Sequence, residues 1–426
     1  MDGSGLLTDR YELTMLSALL ADGAAALPAV YECFSRRLPR GRRYGVTAGL
    51  GRLLSLLAAF RFDPEEIAYL LGVGAVSAEC ARYLERFSLR GLEVEAYREG
   101  ELYFPGSPVL TVRGTVGQGV VLETLVLSVL NHDSAVASAA ARMSVAADGR
   151  PLIEMGSRRT HEQAAVDAAR AAYLAGFAST SNLAAGFRYG IPTVGTAAHT
   201  FTLAHASEKE AFASQVRAHG AGTTLLVDTY NTQQGIRTAV EVAGPDLGAV
   251  RLDSGDLAEE SRTARDLLDR LGATRTRIIV TSDLDEYVIS ALADAPIDGF
   301  GVGTRVVTGS GHPTAGFVYK LVEVDGRPVS KTSVGKVSLG GRKVAYRSLA
   351  PDGTAVAELI ASHPDPGLGR PLQVTVLDDG LVVHDPSLDD IRSHHCQVRA
   401  ELPPAARAVS NGNPFLAAAL PEGAPS

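Results

Sequence analysis

The central part of the chain, from about residue 150 to 310, alternates short apolar runs with amphipathic stretches. The apolar runs end in polar residues or glycine and predict strands at 191–194, 224–227, 249–252, 278–280 and 299–302. Apolar positions with helical spacing predict helices at 161–173, 208–219, 233–242, 257–271 and 284–292. Ser207 and Asp283 stand directly before two of these segments and mark helix starts. Repeated strand and helix units predict a parallel sheet with helical crossovers.

Two parallel-sheet architectures fit this pattern, an open doubly wound sheet and a closed barrel. Polar residues follow nearly every predicted strand, as at 196–199, Asp228, Asp253 and Thr304. In a barrel all of these strand ends converge on one site, whereas in an open sheet only those at the switch point meet. We therefore favour the closed, TIM-like α/β barrel, with Asp228 interpreted only as a strand end.

The two flanks of this region carry β-type patterns punctuated by Gly and Pro. Neither flank is long enough for an independent sandwich, so we expect the two to pair into one β-rich domain. Helical material at 123–143 bridges the flank and the barrel. The predicted organisation is an N-terminal part of the β-rich domain (1–120), an α/β barrel catalytic domain (121–315), a C-terminal part returning to the β-rich domain (316–402) and a flexible tail (403–426).

Composition narrows the functional class. The chain has 426 residues, 46% hydrophobic and 21% charged, which is typical of a well-cored soluble protein rather than a disordered one. A net charge of −8 and the absence of Trp argue against nucleic-acid binding. The three scattered cysteines argue against a disulfide framework or a thiolate metal site. The chain start does not resemble a secretory signal and no charge-free apolar run of about 18 residues occurs, so we expect a cytoplasmic protein without membrane contact.

Two segments carry candidate catalytic side chains. His199 directly follows a predicted strand, where an imidazole could act as acid, base or nucleophile; a packed or solvated histidine is the alternative. Arg251 and Asp253 stand two apart on a predicted strand and therefore on one face. Such a pair can hold an anion, a ribose diol or a water-bridged magnesium ion. For Asp256, an N-terminal helix cap is as good an interpretation as a site residue.

Three further segments could bind phosphate or substrate. The glycine-rich segment after the last predicted strand includes Gly303 and Thr304. Its exposed backbone N–H groups could bind a phosphate, and a tight structural turn is the alternative. Arg158 and Arg159 could hold a diphosphate or form a surface pair. Ser181 lies among hydroxyl residues ahead of a short helix, where most serve as caps and one could face a site.

Taken in order, these segments resemble nicotinate phosphoribosyltransferase, a type II phosphoribosyltransferase of NAD salvage. The matching stretches extend from residue 7 to about residue 320 and are collectively specific. They are LTDRYELTM (7–15), FSRRLP (34–39), EMGSRR (154–159), STSN (179–182), GTAAH (195–199), RLDSGD (251–256) and GVGT (301–304).

The resemblance implies a reaction. Nicotinate and phosphoribosyl diphosphate would give nicotinate mononucleotide and diphosphate, with Mg²⁺ and with ATP as a co-substrate. ATP hydrolysis would be coupled to turnover through a phosphohistidine. The resemblance also implies an irregular barrel, a β-rich domain built from both chain ends, and a homodimer in which Tyr11 or arginine-rich segments complete the partner's site. No residue is assigned as a direct metal ligand.

The resemblance also implies roles for single residues. His199 corresponds to the histidine that ATP phosphorylates, and Asp253 to a catalytic residue that holds the ribose. The residues implied for nicotinate are Tyr11, Thr196, Ser181 and Arg251. Those implied for the phosphoribosyl and phosphate groups are Arg158, Asp253, Gly255, Gly303 and Thr304.

The choice of pyridine substrate depends on few residues. The related nicotinamide enzyme carries Asp where this chain has Ser181, and a carboxylate there would repel nicotinate. Ser181 together with Arg251 therefore favours the acid. Met155 stands where that enzyme has an aromatic residue, so ring stacking on that side would differ. The alternatives are nicotinamide as the substrate, or a barrel that binds nucleotides without catalysis.

Overall fold

The computed structural model describes residues 5–331 and 339–420, and the chain divides into two compact units. The first, called the split unit, combines Met1–Ser138 with His312–Ser426. The second, called the central unit, is Ala139–Gly311. This division lies after residues 138 and 311, and the boundaries predicted from the sequence lie after residues 120 and 315.

The N-terminal part of the split unit contains five helices and five short or medium strands. The helices are α1 (Arg10–Ala21), α2 (Leu50–Ala58), α3 (Pro64–Gly72), α4 (Ala78–Glu85) and α5 (Val116–Ala146), the last of which continues into the central unit. The strands are β1 (Pro28–Ser35), β2 (Gly45–Val46), β3 (Glu93–Tyr97), β4 (Leu102–Tyr103) and β5 (Pro108–Thr115).

The central unit alternates strands with helices. Its strands are β6 (Leu152–Glu154), β7 (Ser179–Thr180), β8 (Thr224–Leu226), β9 (Ala249–Leu252), β10 (Arg277–Val280) and β11 (Gly299–Val302). Its helices after α5 are α6 (Glu162–Leu174), α7 (Leu183–Tyr189), α8 (His199–Leu203), α9 (Glu208–His219), α10 (Thr232–Ala243), α11 (Leu257–Arg270), α12 (Glu286–Ala291) and α13 (Thr304–Val307).

The C-terminal part of the split unit is mainly β-structure followed by helix. Its strands are β12 (Phe317–Val324), β13 (Arg327–Pro328), β14 (Val344–Leu349), β15 (Ala355–Ala361), β16 (Arg370–Pro371), β17 (Gln373–Asp378), β18 (Leu381–Val382) and β19 (Ala418–Ala419). Its helices are α14 (Leu388–Ala400) and α15 (Pro404–Arg407).

Strands from both ends of the chain form one antiparallel sheet in the split unit. Its order is β13-β12-β1-β5-β3-β17-β18. Strand β1 pairs with β5 on one side and with β12 on the other, so residues almost 300 positions apart, such as Cys33 and Tyr319, face each other. A stacked pair, Tyr31 and Tyr319, lies in the core of this unit. The pairing between the two chain ends is the one that the sequence predicts.

The predicted flexible tail, 403–426, is ordered over its described part. Residues 403–420 include α15 and β19, and β19 pairs with β15. The backbone N–H of Phe415 donates to the carbonyl of Arg43, which adds a second tie to the split unit. The prediction of flexibility rests on the Ala- and Pro-rich composition of this segment, which does not prevent these backbone contacts. Residues 421–426 lie outside the described residues.

The central unit contains a parallel six-stranded sheet in the order β7-β6-β11-β10-β9-β8. Most residues of its strands are buried, and β8, β9, β10 and β11 are mainly apolar, as expected of a parallel sheet. Over the described residues the hydrogen-bonded ladder runs from β7 to β8 without joining these two strands. The observed fold is therefore a mixed α/β fold with an open parallel sheet, and a fully closed barrel is not present in this ladder.

The five predicted helices of the central unit match observed helices within two residues at each end, and one predicted strand is wrong. The apolar run 191–194 is not a strand, because it makes only a single bridge, between Thr193 and Thr180. Ile191 is buried, but the other residues of that run are exposed, so the run has no second buried position to anchor it. The helix expected after Asp283 begins at Glu286, because Asp285 caps it through the N–H groups of Tyr287 and Val288.

Helix α5 is the one described helix that is long and apolar enough to span a membrane by length and composition. Within the molecule, 67% of its most apolar window is buried. It also carries Arg142, whose Nε donates to Glu286 in a buried ion pair. These are the properties of the core helix of a globular protein.

Two glycines let segments of the central unit approach closely. A Cβ at Gly235 on α10 would lie 2.2 Å from the carbonyl oxygen of Val227. A Cβ at Gly301 on β11 would lie 2.6 Å from Thr281 Cγ2 and 2.7 Å from Met155 Sδ. A side chain at either position would force the neighbouring segments apart, so both positions favour glycine.

Candidate active site

The carboxyl ends of the parallel strands carry a connected set of polar residues. In a parallel sheet these ends lie along one edge, so residues far apart in sequence meet there. Hydrogen bonds, one ion pair and electrostatic interactions join eight of them, which we call the strand-end group: Thr196, His199, Asp228, Thr229, Arg251, Asp253, Ser254 and Thr281.

Arg251 is the cation of the strand-end group and projects from β9. Its Nη1 donates to Thr196 Oγ1, and its Nε is buried without a hydrogen-bond partner among the described residues. Burial lowers the pKa of Arg251. The carboxylates of Asp253 and Asp228 oppose that shift, whereas the nearby Arg158 adds to it. A guanidinium stays charged under such conditions. A buried charge with an unused N–H is suited to a small anion such as a carboxylate.

Asp253 is held rigidly at the end of β9. Its backbone N–H donates to Asp228 Oδ2 at 2.8 Å, and the hydroxyl of Ser254 donates to the same oxygen at 2.7 Å. The hydroxyl of Thr281, after β10, donates to Asp253 Oδ1 at 2.5 Å. Asp228 is therefore more than the strand end that the sequence suggested, because it anchors the turn that presents Asp253.

His199 is the first residue of α8 and lies beside Asp253. Its Nδ1 is 3.1 Å from Thr229 Oγ1, and its Nε2 is 3.7 Å from Asp253 Oδ2. The side chains of His199 and Asp253 are 41% and 36% exposed, so a ligand can reach both. The structure thus brings together His199, Arg251, Thr196 and Asp253, four of the residues that the sequence singles out.

Glu154, at the end of β6, organises the neighbouring strand ends. Its two oxygens accept from the N–H of Gly156 and from the hydroxyl of Thr180, both at 2.5 Å, and its backbone carbonyl accepts from the N–H of Ser181. Burial raises the pKa of Glu154, while the two hydrogen bonds lower it. Glu154 therefore fixes the segment in which Ser181 lies. Asn182, next in sequence, caps α7.

The predicted phosphate-binding residues are found on segments that follow strands of the parallel sheet. Arg158 is exposed and lies close enough to Arg251 for the repulsion between the two charges to lower the pKa of Arg251. Gly255 has a φ of +82° in the turn between β9 and α11, a conformation that favours glycine. Gly303 and Thr304 follow β11, at the start of the four-residue helix α13.

Tyr11 lies on α1 of the split unit. Its side chain is 45% exposed, and its hydroxyl is hydrogen-bonded to Glu123. Burial and the carboxylate of Glu123 raise the pKa of Tyr11, so the hydroxyl is protonated. Its predicted role as a stacking platform stays a prediction.

Sequence reasoning missed three members of this region. Thr229 and Thr281 contact the two predicted catalytic side chains, and Glu154 joins two strand ends. Thr281 directly follows a predicted strand, which is the one signal that could have identified it. A single threonine or a buried glutamate carries no distinctive motif.

Comparison with known proteins places the chain in a family. Residues 6–131 match the nicotinate phosphoribosyltransferase N-terminal domain, and residues 151–345 match the nicotinate phosphoribosyltransferase family. A Mycobacterium tuberculosis relative, nicotinate phosphoribosyltransferase pncB1, is 55% identical over 97% of this chain and 95% of its own length. The chain belongs to the nicotinate phosphoribosyltransferase family. Its members named here are enzymes.

Further similarities agree with this family assignment. Bacillus subtilis nicotinate phosphoribosyltransferase is 37% identical over 81% of this chain and 73% of its own length. The crystal structure of human nicotinic acid phosphoribosyltransferase superposes with a TM-score of 0.83 and 26% identity, covering 97% of both chains. The human enzyme therefore shares the fold of this chain over nearly its whole length.

Proposed function

We propose that this chain is an enzyme of NAD salvage that transfers the phosphoribosyl group of phosphoribosyl diphosphate to nicotinate. The products are nicotinate mononucleotide and diphosphate. The observation that supports the proposal most strongly is the strand-end group, in which Arg251, Thr196, His199 and Asp253 meet within one set of contacts. The family membership supports the same reaction.

Nicotinate binds through its carboxylate in this proposal. Arg251 keeps a buried Nε–H without a partner among the described residues, and a carboxylate at that point would accept a charge-assisted hydrogen bond. Thr196, already bonded to Arg251, fixes the guanidinium for this contact. Ser181 places a hydroxyl rather than a carboxylate at the end of β7, which leaves an anionic ring substituent unopposed. Tyr11 would stack on the pyridine ring.

Transfer at the anomeric carbon develops positive charge on the ribose and negative charge on the leaving diphosphate. Asp253, rigidly held, would contact the ribose and stabilise the positive charge. Arg158 would contact the diphosphate, and Gly255, Gly303 and Thr304 would supply N–H and hydroxyl donors to phosphate oxygens. No protein nucleophile towards the sugar is needed.

ATP hydrolysis is coupled to turnover through phosphorylation of His199 in this proposal. Its accessible ring next to Asp253 supports that role. Within residues 5–331 and 339–420, no three His, Cys, Asp or Glu side chains gather to hold a metal. A Mg²⁺ ion would then be held mainly by substrate phosphate oxygens, and Asp253 is the carboxylate of the strand-end group that would be available to it. Such an ion would neutralise charge on the diphosphate.

The remaining expectations belong to the same proposal. The six-stranded sheet would form the core of an irregular barrel, the enzyme would be a cytoplasmic homodimer, and Tyr11 would complete the partner's site. Sedimentation velocity would test the homodimer. A heterodimer that combines Tyr11→Ala chains with His199→Ala chains would test whether Tyr11 completes the partner's site. A monomer with full activity would contradict both the homodimer and this role of Tyr11.

The reaction is tested by measuring diphosphate release from labelled phosphoribosyl diphosphate. Nicotinate and nicotinamide are each added with and without ATP, and mononucleotide is quantified in parallel. We expect release with nicotinate, faster with ATP, and little release with nicotinamide. A preference for nicotinamide would refute the substrate assignment. Binding of nicotinate mononucleotide without any diphosphate release would identify a non-catalytic nucleotide-binding protein instead.

A further inference from the structure

The ring of His199 is held between two groups that it contacts unequally. Nδ1 lies 3.1 Å from Thr229 Oγ1, which is within hydrogen-bonding distance. Nε2 lies 3.7 Å from Asp253 Oδ2, which is beyond it. The other oxygen of Asp253 already accepts from the hydroxyl of Thr281. The hydroxyl of Thr229 is therefore the closer of the two partners of the ring.

The backbone around Thr229 is fixed on both sides. Asp228, the preceding residue, accepts from the backbone of Asp253 and from the hydroxyl of Ser254. Asn231, two residues after Thr229, caps α10 by accepting from the N–H of Gln234 at 2.9 Å. A hydroxyl on this segment is thus presented from a rigid support, which a positioning group needs.

We infer that Thr229 is a positioning residue that sets the tautomer of His199. Its Oγ1 accepts from Nδ1–H, so that the lone pair of Nε2 is free and faces the side of the ring where Asp253 lies. This inference rests on the proposed phosphorylation of His199 and identifies Nε2 as the atom that receives the phosphoryl group. The partner of one imidazole nitrogen determines the state of the other.

The step balances as follows for the proposed co-substrate ATP. The lone pair of Nε2 forms a bond to the terminal phosphorus, and the phosphorus–oxygen bond to ADP breaks with its electron pair leaving on ADP. Nδ1 keeps its proton, and the positive charge on the phosphorylated ring is stabilised by the hydrogen bond to Thr229. In hydrolysis, a water oxygen bonds to phosphorus and the nitrogen–phosphorus electron pair returns to Nε2, which releases inorganic phosphate.

The opposite tautomer would reverse the roles of the two ring nitrogens. A proton on Nε2 would point towards Asp253 without reaching hydrogen-bonding distance, and Thr229 would have to donate to Nδ1. A threonine hydroxyl can donate or accept, so its chemistry allows both arrangements. Only the arrangement with Nδ1–H leaves Nε2 of the neutral ring with a free lone pair, and the side chain of His199 is 41% accessible.

The first experiment compares Thr229→Val, which has the same shape without the hydroxyl, with Thr229→Ser, which retains it. We expect Thr229→Val to lower kcat for ATP hydrolysis about tenfold, the factor expected for one ordinary hydrogen bond, with KM for ATP unchanged. Thr229→Ser should restore most of the rate. An equal loss in both variants, or no loss in Thr229→Val, would overturn the inference.

The second experiment reads the tautomer directly, without nucleotide. Nitrogen NMR of the enzyme with ¹⁵N-labelled histidine, assigned with His199→Gln, should show a protonated Nδ1 and an unprotonated Nε2 in the neutral ring. Thr229→Val should show both tautomers. A wild-type ring that is protonated on Nε2 would overturn the inference, because Nε2 would then lack its lone pair.

The third experiment identifies the phosphorylated nitrogen after incubation with ATP. Phosphate on Nε2 is expected, and phosphate on Nδ1 would contradict the role of Thr229. If His199 carries no phosphate although mononucleotide is made, the proposed coupling fails instead. The tautomer measured by NMR then still decides whether Thr229 positions the ring, so the two failures are distinguishable.

Discussion

Replacing Arg251 by Ala removes the buried cation that we propose binds the carboxylate of nicotinate. The side chain has one N–H on Thr196 and a buried Nε without a partner among the described residues, so removing it takes away a cation with an unused hydrogen-bond donor. A charge-assisted hydrogen bond contributes about 1.5–3 kcal/mol, and each 1.4 kcal/mol is a factor of ten. We therefore expect kcat/KM for nicotinate to fall roughly 10- to 150-fold.

The assay should follow mononucleotide formation with each substrate varied in turn. The loss should appear mainly as a raised KM for nicotinate, with KM for phosphoribosyl diphosphate nearly unchanged. The preference for nicotinate over nicotinamide should shrink as well, because nicotinamide has no carboxylate and so makes no such contact with Arg251. Arg277→Ala is a matched control, since Arg277 is exposed at the start of the neighbouring strand β10.

Thr196→Val adds a second control, because it removes the hydroxyl that accepts from Arg251 but leaves the charge in place. Its effect on KM for nicotinate should be smaller than that of Arg251→Ala. Thermal unfolding of all three variants would show whether folding is affected. The assignment is refuted if Arg251→Ala changes only the KM for phosphoribosyl diphosphate, or if the substrate preference is unaltered.

Three other outcomes follow from the structure. His199→Ala should abolish ATP coupling yet keep slow ATP-independent synthesis, measured as ATP consumed per mononucleotide; unchanged ATP hydrolysis would contradict this. Asp228→Ala should lower kcat about tenfold or more by releasing the turn that carries Asp253, and a variant with normal kinetics would show that this anchor is unnecessary. Burial lowers the pKa of His395 from 6.5 to about 4, so native stability is fully present above pH 6.5 and falls by up to roughly 3 kcal/mol as the pH drops towards 4. Denaturant unfolding of wild type and His395→Gln across that range should show a shallower loss in the variant, and identical slopes would disprove the role of His395.

The helices of the central unit were predictable because local signals and tertiary packing agree there. Helix α9 has exactly the predicted limits, since Ser207 caps it through the N–H of Glu210 and its periodic apolar face is buried. The run 191–194 misled the prediction because apolar composition does not report burial, and only Ile191 of that run is buried. Pairing in the antiparallel sheet followed from both flanks having strand patterns.

The site was predictable only where a residue type is chemically distinctive. His199, Arg251 and Asp253 stand out in sequence because few other residues could do their chemistry, and the structure brings them together. Thr229 and Thr281 do not stand out in the sequence, because threonine is common. The role of each depends on a contact with a residue about 30 positions away in the chain. Contacts of that kind are set by the register of the sheet, which no local pattern records.

The most direct test of the account is a crystal structure of the enzyme with nicotinate bound. We expect the carboxylate to accept hydrogen bonds from Arg251, with the pyridine ring at the carboxyl ends of the parallel strands near Asp253. Nicotinate bound away from the strand-end group, with Arg251 still contacting only Thr196, would contradict the account.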